Sequence, residues 1–195
     1  MVGNLTNTVT GTQYAEQACS DKYTGVPYSK LDCQGFVEQV LKDCGVRRKD
    51  GSTYNWKGSN DMWRHALSWR GTVDDCLNQF GEIPLGAWVF IVKNDGGEVA
   101  RGYHDKDGNA SHVGIYCRRG ETPARDSTKT KTRDGVGYRA LNGFTHVGLP
   151  SMIEYNVSST GNDVLNAISV LRNSSASDAD ILSALTILTK YLKGV

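Results

Sequence analysis

Proline is scarce in this chain, with four residues among 195. No apolar run approaches the ~20 residues that a membrane span needs. An excess of charge of one sign is also missing. Twenty-two Lys and Arg stand against 21 Asp and Glu, a formal charge of +1. Neither nucleic acid nor an anionic membrane is therefore expected as the main partner. The opening stretch MVGNLTNTVTGTQYAEQACSDKYTG lacks the charged leader and apolar core of a signal peptide, so synthesis in the cytoplasm without one is expected. Cysteines are few and odd in number: Cys19, Cys33, Cys44, Cys76 and Cys117, with no Cys-x-x-Cys spacing. That argues against a disulfide framework or a zinc ribbon and for reduced thiols. A calcium loop is a poor fit as well. The stretch from Asp105 to Asn109 (DKDGN) starts like one, but Ala110 holds the position of the invariant glycine and Tyr116 that of the closing glutamate. No metal and no cofactor is expected.

What is present is a chain with 38% hydrophobic residues and 22 glycines, enough for one real core and many loops. A short helix is expected from Thr12 to Ala18. A second starts at Asp32, with Phe36, Val37, Val40, Leu41 and Cys44 at helical spacing and Gly45 as its stop. A polar loop covers Arg47 to Asn60. A third helix is expected across NDMWRHALSWRG, with Met62, Ala66 and Trp69 on one face. Strands follow: GAWVFIV after the turn at Pro84, SHVGIYC from Ser111 to Cys117, a short TPARDST, and one or two more in FTHVGL and MIEYNV. Helices first and closely spaced strands afterwards predict an α+β fold, with helices on one face of a mostly antiparallel sheet. Residues 1–157 are expected as one domain and 158–195 as a helical hairpin tail, with a serine or aspartate capping its second helix.

Cys33 stands where a packing cysteine has no reason to be, ahead of the apolar stripe of its helix. A helix N-terminus offers unpaired N–H groups and partial positive charge, which favour a thiolate and can receive an oxyanion. Gly35 leaves room in the first turn. Such a nucleophile needs a base, and His112 is the best of the four histidines. On its strand it shares a face with Gly114 and Tyr116, opposite Val113 and Ile115, and Gly114 beside it predicts open space. His65 and His104 sit in polar settings. His146, in THVGL, copies the local pattern of SHVGIY and competes with it. Asp126 can orient the imidazole if the chain returns antiparallel, and equally can be a loop aspartate that caps its turn. Cys44 and Cys117 read as small buried hydrophobes.

The stretch VPYSKLDCQGFVEQVLKDCGV resembles the nucleophile segment of the NlpC/P60 cell-wall cysteine peptidases, a tyrosine followed by Asp-Cys-Ser-Gly-Leu/Phe-Val at a helix start. PLGAWVFIV resembles their Pro-Gly-Asp-Leu-Val-Phe-Phe strand, and ASHVGIYC their His-Val-Gly-Ile-Tyr strand. ARDSTKTKTRDGVGYRALNGFTHVGL is similar to the ending of phage-type members. The likeness spans Tyr23 to Glu154. It implies a papain-like fold with Cys33 as nucleophile, His112 as base and Asp126 in the third position, often His in the family. It also implies Tyr28 and Asp32 lining the substrate and oxyanion region. The chain departs from the pattern at Gln34, which replaces Ser, in the shortened loop Ser29-Lys30-Leu31, and at Asp126.

The resemblance implies an enzyme that cuts the stem peptides of bacterial peptidoglycan and acts on the wall after delivery by a phage particle or release through a holin. An amidase that separates sugar from peptide is one alternative. A non-catalytic wall-binding or phage structural module is another. The tail helices, from Asn162 to Leu192, have apolar spacing suited to self-association or targeting, and equally to packing on the main domain.

Overall fold

A computed structural model describes residues 8–93, 103, 105, 107–129, 134–155, 170–172 and 176–193. Helix α1 (Gly11–Ala18) opens with a capping box, in which Thr10 and Gln13 each bind the other's backbone N–H. Helix α2 (Cys33–Asp43) is capped by Asp32 and is followed by Gly45 at φ 77°, a left-handed stop. Its residues Phe36, Val37, Val40 and Leu41 are all buried. Helix α3 (Ser59–His65), strand β1 (Leu67–Thr72) and helix α4 (Val73–Phe80) come next. Strands β2 (Trp88–Lys93), β3 (Asn109–Tyr116), β4 (Ala124–Lys129), β5 (Asp134–Arg139) and β6 (His146–Pro150) complete the body. A helix at Asp178–Lys193 lies near the C-terminus.

The fold is α+β, built on a six-stranded sheet in the order β1-β6-β2-β3-β4-β5, with every described pair of neighbours antiparallel. Strand β2 lies near the middle and is covered on both sides, which is why it reads as a continuous apolar run. Its Trp88, Phe90 and Val92 pack with α1, α2 and α3. Its Ala87 and Val89 join Cys76 and Phe80 of α4 beneath the other face. The expectation of helices on one face is corrected by this second layer: three helices cover one side and α4 the other. No helix of the described residues is long and apolar enough to cross a membrane.

Local expectations also need correction. The helix expected across NDMWRHALSWRG stops at His65, and Leu67–Thr72 is an edge strand paired with β6. Leu67, Trp69 and Gly71 alternate with more exposed residues, a period of two that the spacing of Met62, Ala66 and Trp69 masked. Trp69 packs edge-on against Phe80, ring centroids 5.0 Å apart, instead of extending the α3 face. Helix α4 went unforeseen although Thr72 and Asp75 form a capping box at its start. Strand β5 was also unforeseen, and MIEYNV contributes only a single bridge, Thr10 to Glu154, among the described residues. In the tail, Ser177 accepts from the Asp180 N–H and caps the helix Asp178–Lys193, as the sequence predicts. The first helix expected in the tail falls almost wholly outside the described residues.

Thr72 ends β1 and caps α4, so one side chain fixes the junction between sheet edge and helix. Thr72→Ala is expected to lower stability by about 1 kcal/mol, read as a reduced urea midpoint at an unchanged m-value.

Candidate active site

Strand β4 positions both partners of the expected cysteine–histidine pair, because its side chains alternate across the sheet. Arg125 and Ser127 point to the helical side. Ser127 Oγ donates to the Leu31 carbonyl, just before α2 begins. Arg125 is wholly buried, and it donates to Thr24 Oγ1 at 2.6 Å and to Tyr138 Oη at 2.9 Å. The loop between is stitched to β5 as well, by Gly25 N–H to Val136 O and Val136 N–H to Val26 O, each 2.9 Å. Gly135 makes this approach possible: at φ 106° it brings its backbone so close that a Cβ would stand 2.4 Å from Val26 O. The segment that ends in Asp32 and Cys33 is thus tied down from Thr24 to Leu31.

At the start of α2 the Asp32 carboxylate accepts from the Gly35 N–H at 2.7 Å, and the Asp32 carbonyl from Phe36 N–H at 2.9 Å. Gly35 serves this cap, since a Cβ there would stand 3.1 Å from Asp32 Oδ1. That corrects the expectation that Gly35 makes room for a substrate. The amides of Cys33 and Gln34 are left without partners among the described residues. The Gln34 side chain donates to Glu38 Oε1 and to the Trp56 carbonyl, while Glu38 accepts from Trp56 N–H at 2.6 Å. The Gln34–Glu38 pair therefore pins the loop before α3 onto α2.

His112 lies on β3 beside a bulge, where the register with β2 slips between Ile91 and Val92 and Ser111 is the extra residue. Pairing of β3 with β4 covers only Ile115–Arg125 and Tyr116–Ala124. Beyond those two pairs the seam between the strands is unladdered, and the histidine stands there. The Cys33 thiol, which belongs to the helical side, is near enough to raise the pKa of the imidazole, whose Nε2 pairs with Asp126 Oδ2 on the opposite face. Its ring stacks on Phe144, centroids 5.9 Å apart and planes 22° apart. Gly114 does not open a cleft as expected. A Cβ there would meet the Asp126 Cβ and the Arg125 carbonyl at 3.1 Å and the Phe144 ring at 3.3 Å. The glycine makes room for the aspartate and the aromatic floor under the imidazole.

Asp126 is not a turn cap: its side chain is 0% exposed, sits within a strand and pairs with His112. Arg139, which sequence reasoning missed, donates to the same Oδ2 at 3.1 Å and stands over the Phe144 ring at 5.2 Å. Gly137 faces Asp126 across the β4–β5 ladder, so Arg139 two residues on is its diagonal neighbour on the same face. Once β5 is recognised, that register is the signal. Tyr28 is half-buried, and burial together with the Cys33 and Asp32 charges pushes its hydroxyl pKa up. The competing histidines lie elsewhere. His146 on β6 packs edge-on against Trp63 and pairs with Thr145 Oγ1 at 2.9 Å. His65 is 63% exposed beside Asp61. His104 lies outside the described residues. Asp105 and Asp107 of the rejected calcium loop bind Arg64 and Arg70, each at 2.7 Å.

Cys33 is 8% exposed and His112 15%, so the pair is sheltered yet reachable. Burial pulls the His112 pKa down, but hydrogen bonds to Asp126 and to Cys33, and the charges of both, outweigh it and raise it to about 9. The imidazolium form is therefore favoured at neutral pH. The folded protein binds this proton more tightly than the unfolded chain does. Its contribution to stability is full below about pH 6.5 and is lost as pH rises to about 9. In Asp126→Asn the largest charged support is gone and burial dominates. The His112 pKa is expected to fall by more than one unit, read from the imidazole C–H resonances, and the loss of stability between pH 6.5 and 9 should flatten.

A comparison of this chain with family models, curated proteins and solved structures finds no match in any of the three.

Proposed function

We propose that the protein is a cysteine peptidase of NlpC/P60 type, with a papain-like arrangement of helix and sheet, that hydrolyses peptidoglycan stem peptides. The observation that carries this reading is the Cys33–His112–Asp126 relay: a thiol at a helix start, in contact with a histidine that a buried carboxylate holds in place. Asp32 caps the helix that Cys33 opens, and the Tyr28 hydroxyl pKa is raised in part by the Cys33 charge, which supports the lining role the resemblance implies for both.

In this mechanism the neutral fraction of His112 takes the Cys33 proton, and the thiolate attacks the scissile carbonyl. The N–H groups of Cys33 and Gln34 donate to the oxyanion, as the first-turn amides left over once Asp32 has taken that of Gly35. His112 delivers its proton to the leaving amine, and a thioester remains. Water, deprotonated by the same histidine, then attacks the thioester and frees the acid and the thiol. Asp126 keeps the ring oriented through both proton transfers, with Arg139 holding Asp126. Delivery from the cytoplasm to the wall through a holin or within a phage particle belongs to this reading, and the C-terminal helix is its candidate for targeting or self-association.

The test is digestion of purified peptidoglycan by wild type and Cys33→Ala, with released fragments identified by mass spectrometry. Wild type is expected to release cut stem peptides, and Cys33→Ala to fall by about 10³-fold or more. Release of intact stems would reassign the enzyme as an amidase. Silence of the wild type on walls of several chemistries would overturn the enzymatic reading. Arg139→Ala is expected to keep the fold and lose about tenfold in turnover, with the loss shrinking in Arg139→Lys.

A further inference from the structure

A second pair of thiols lies apart from Cys33, His112 and Asp126. Cys19 caps the end of α1 and is half-buried, and Cys117 follows β3 and is buried. Both lie against the same backbone atom of α1. The Ala15 carbonyl accepts from the Cys19 N–H at 3.0 Å and lies 3.9 Å from Cys117 Sγ. Beside the pair stands Tyr138, whose hydroxyl reaches the Cys19 carbonyl at 3.5 Å and accepts from Arg119 at 2.7 Å and Arg125 at 2.9 Å. Two guanidinium groups thus converge on the phenol beside Cys19, and Cys117 is the more buried of the two thiols.

We propose that Cys19 and Cys117 are a redox-active dithiol that closes into a reversible disulfide by exchange with a small-molecule disulfide of the glutathione class. The Cys19 thiolate attacks one sulfur of that disulfide, forms a mixed disulfide and expels the other half as a thiolate. Cys117 gives up its proton to that departing thiolate and attacks Cys19 Sγ. This forms the intramolecular bond and releases the second half as a thiolate, which takes up the proton that Cys19 had lost. Two electrons leave the protein and reduce one disulfide to two thiols, so the exchange balances. The new bond would tie the end of α1 to the end of β3, the strand that carries His112.

The division of labour follows from the surroundings. The neighbouring Cys117 lowers the Cys19 pKa against the opposing effect of burial, helped by Tyr138 and by the charges of Arg125 and Arg119. The same proximity and deeper burial push Cys117 up. The remaining thiols are poor competitors: burial pushes Cys44 up to about 11 and Cys76 to about 12. Cys19 is then the attacking thiol and Cys117 the resolving one.

The experiment uses the full chain carrying Cys33→Ala, so the outcome is independent of any wall hydrolysis. The protein is equilibrated in glutathione buffers of graded oxidation, unfolded, alkylated, digested and mapped. The expected product is one cross-link between the peptides of Cys19 and Cys117, with Cys44 and Cys76 alkylated. Its melting temperature without reductant should rise by several degrees, as closure of a loop of nearly one hundred residues implies. Cys19→Ser should abolish all oxidation, and Cys117→Ala should stop at a glutathione adduct on Cys19. The proposal is overturned by a stable adduct on Cys19 in the presence of Cys117, by a cross-link to any other cysteine, or by no oxidation in buffers that oxidise ordinary protein dithiols.

Discussion

Burial of the Asp126 carboxylate is the constraint around which the site is arranged. A carboxylate with no exposed surface is tolerated only where opposite charges meet it, and here His112 and Arg139 converge on one of its oxygens. That requirement propagates outward. Position 114 has to be glycine, because the aspartate and Phe144 fill the space of a side chain. Phe144 has to be flat and apolar, because the imidazole stacks on it and the Arg139 guanidinium lies over it. The β3–β4 ladder stops after two pairs, and the histidine takes the opening. Removal of the carboxylate would leave a guanidinium and an imidazolium facing a dry pocket, so the positive charge of the site depends on it.

The same strand reaches the other half of the site without a second scaffold. In β4, period-two alternation sends Asp126 to one face and Arg125 and Ser127 to the other. Three consecutive residues thereby hold His112 on one side and the approach to Cys33 on the other. A rigid strand makes this coupling tighter than a loop would, since a slip of one residue would swap all three side chains between faces. α2 meets it from above with its own fixed register. Tyr14 Oη donates to the Val37 carbonyl at 3.2 Å and accepts from Trp88 Nε1 at 3.2 Å, which ties the helix to α1 and to β2. Position and axial rotation of the Cys33 helix are both set by the core.

What was legible in the sequence was what short-range physics controls. The helix from Cys33, its cap at Asp32 and its stop at Gly45 follow from local spacing and capping chemistry. So do β2 and β3, because apolar runs bounded by turns carry their own signal. The pairing of Cys33 with His112, with Asp126 as the orienting group, was readable only by joining three local motifs. The structure brings those three side chains together. What was illegible depended on partners distant in sequence. β1 is a strand because β6 lies beside it, about eighty residues away. Arg139 joins the site because β5 pairs with β4 in one particular register. Gly35 and Gly114 were read as vacancies, because a missing side chain does not reveal what has filled its place.

The five cysteines show how far environment outweighs residue type. Cys44 and Cys76 differ little from Cys19 as sequence features, each a single thiol in or beside a helix. Burial alone raises Cys76, and burial with the nearby Asp43 charge raises Cys44, so both stay protonated packing groups. Cys19 faces a thiol, a phenol and two guanidinium groups, and its thiolate is the stabilised form. Cys33 faces a histidine already committed to a buried carboxylate, at the end of a helix with amides to spare. Proximity of a cysteine to a helix terminus therefore does not decide its chemistry. The groups that the sheet delivers to that terminus do, and β4 with β5 delivers them to both sites: Asp126 and Arg139 on one face, Arg125 and Tyr138 on the other.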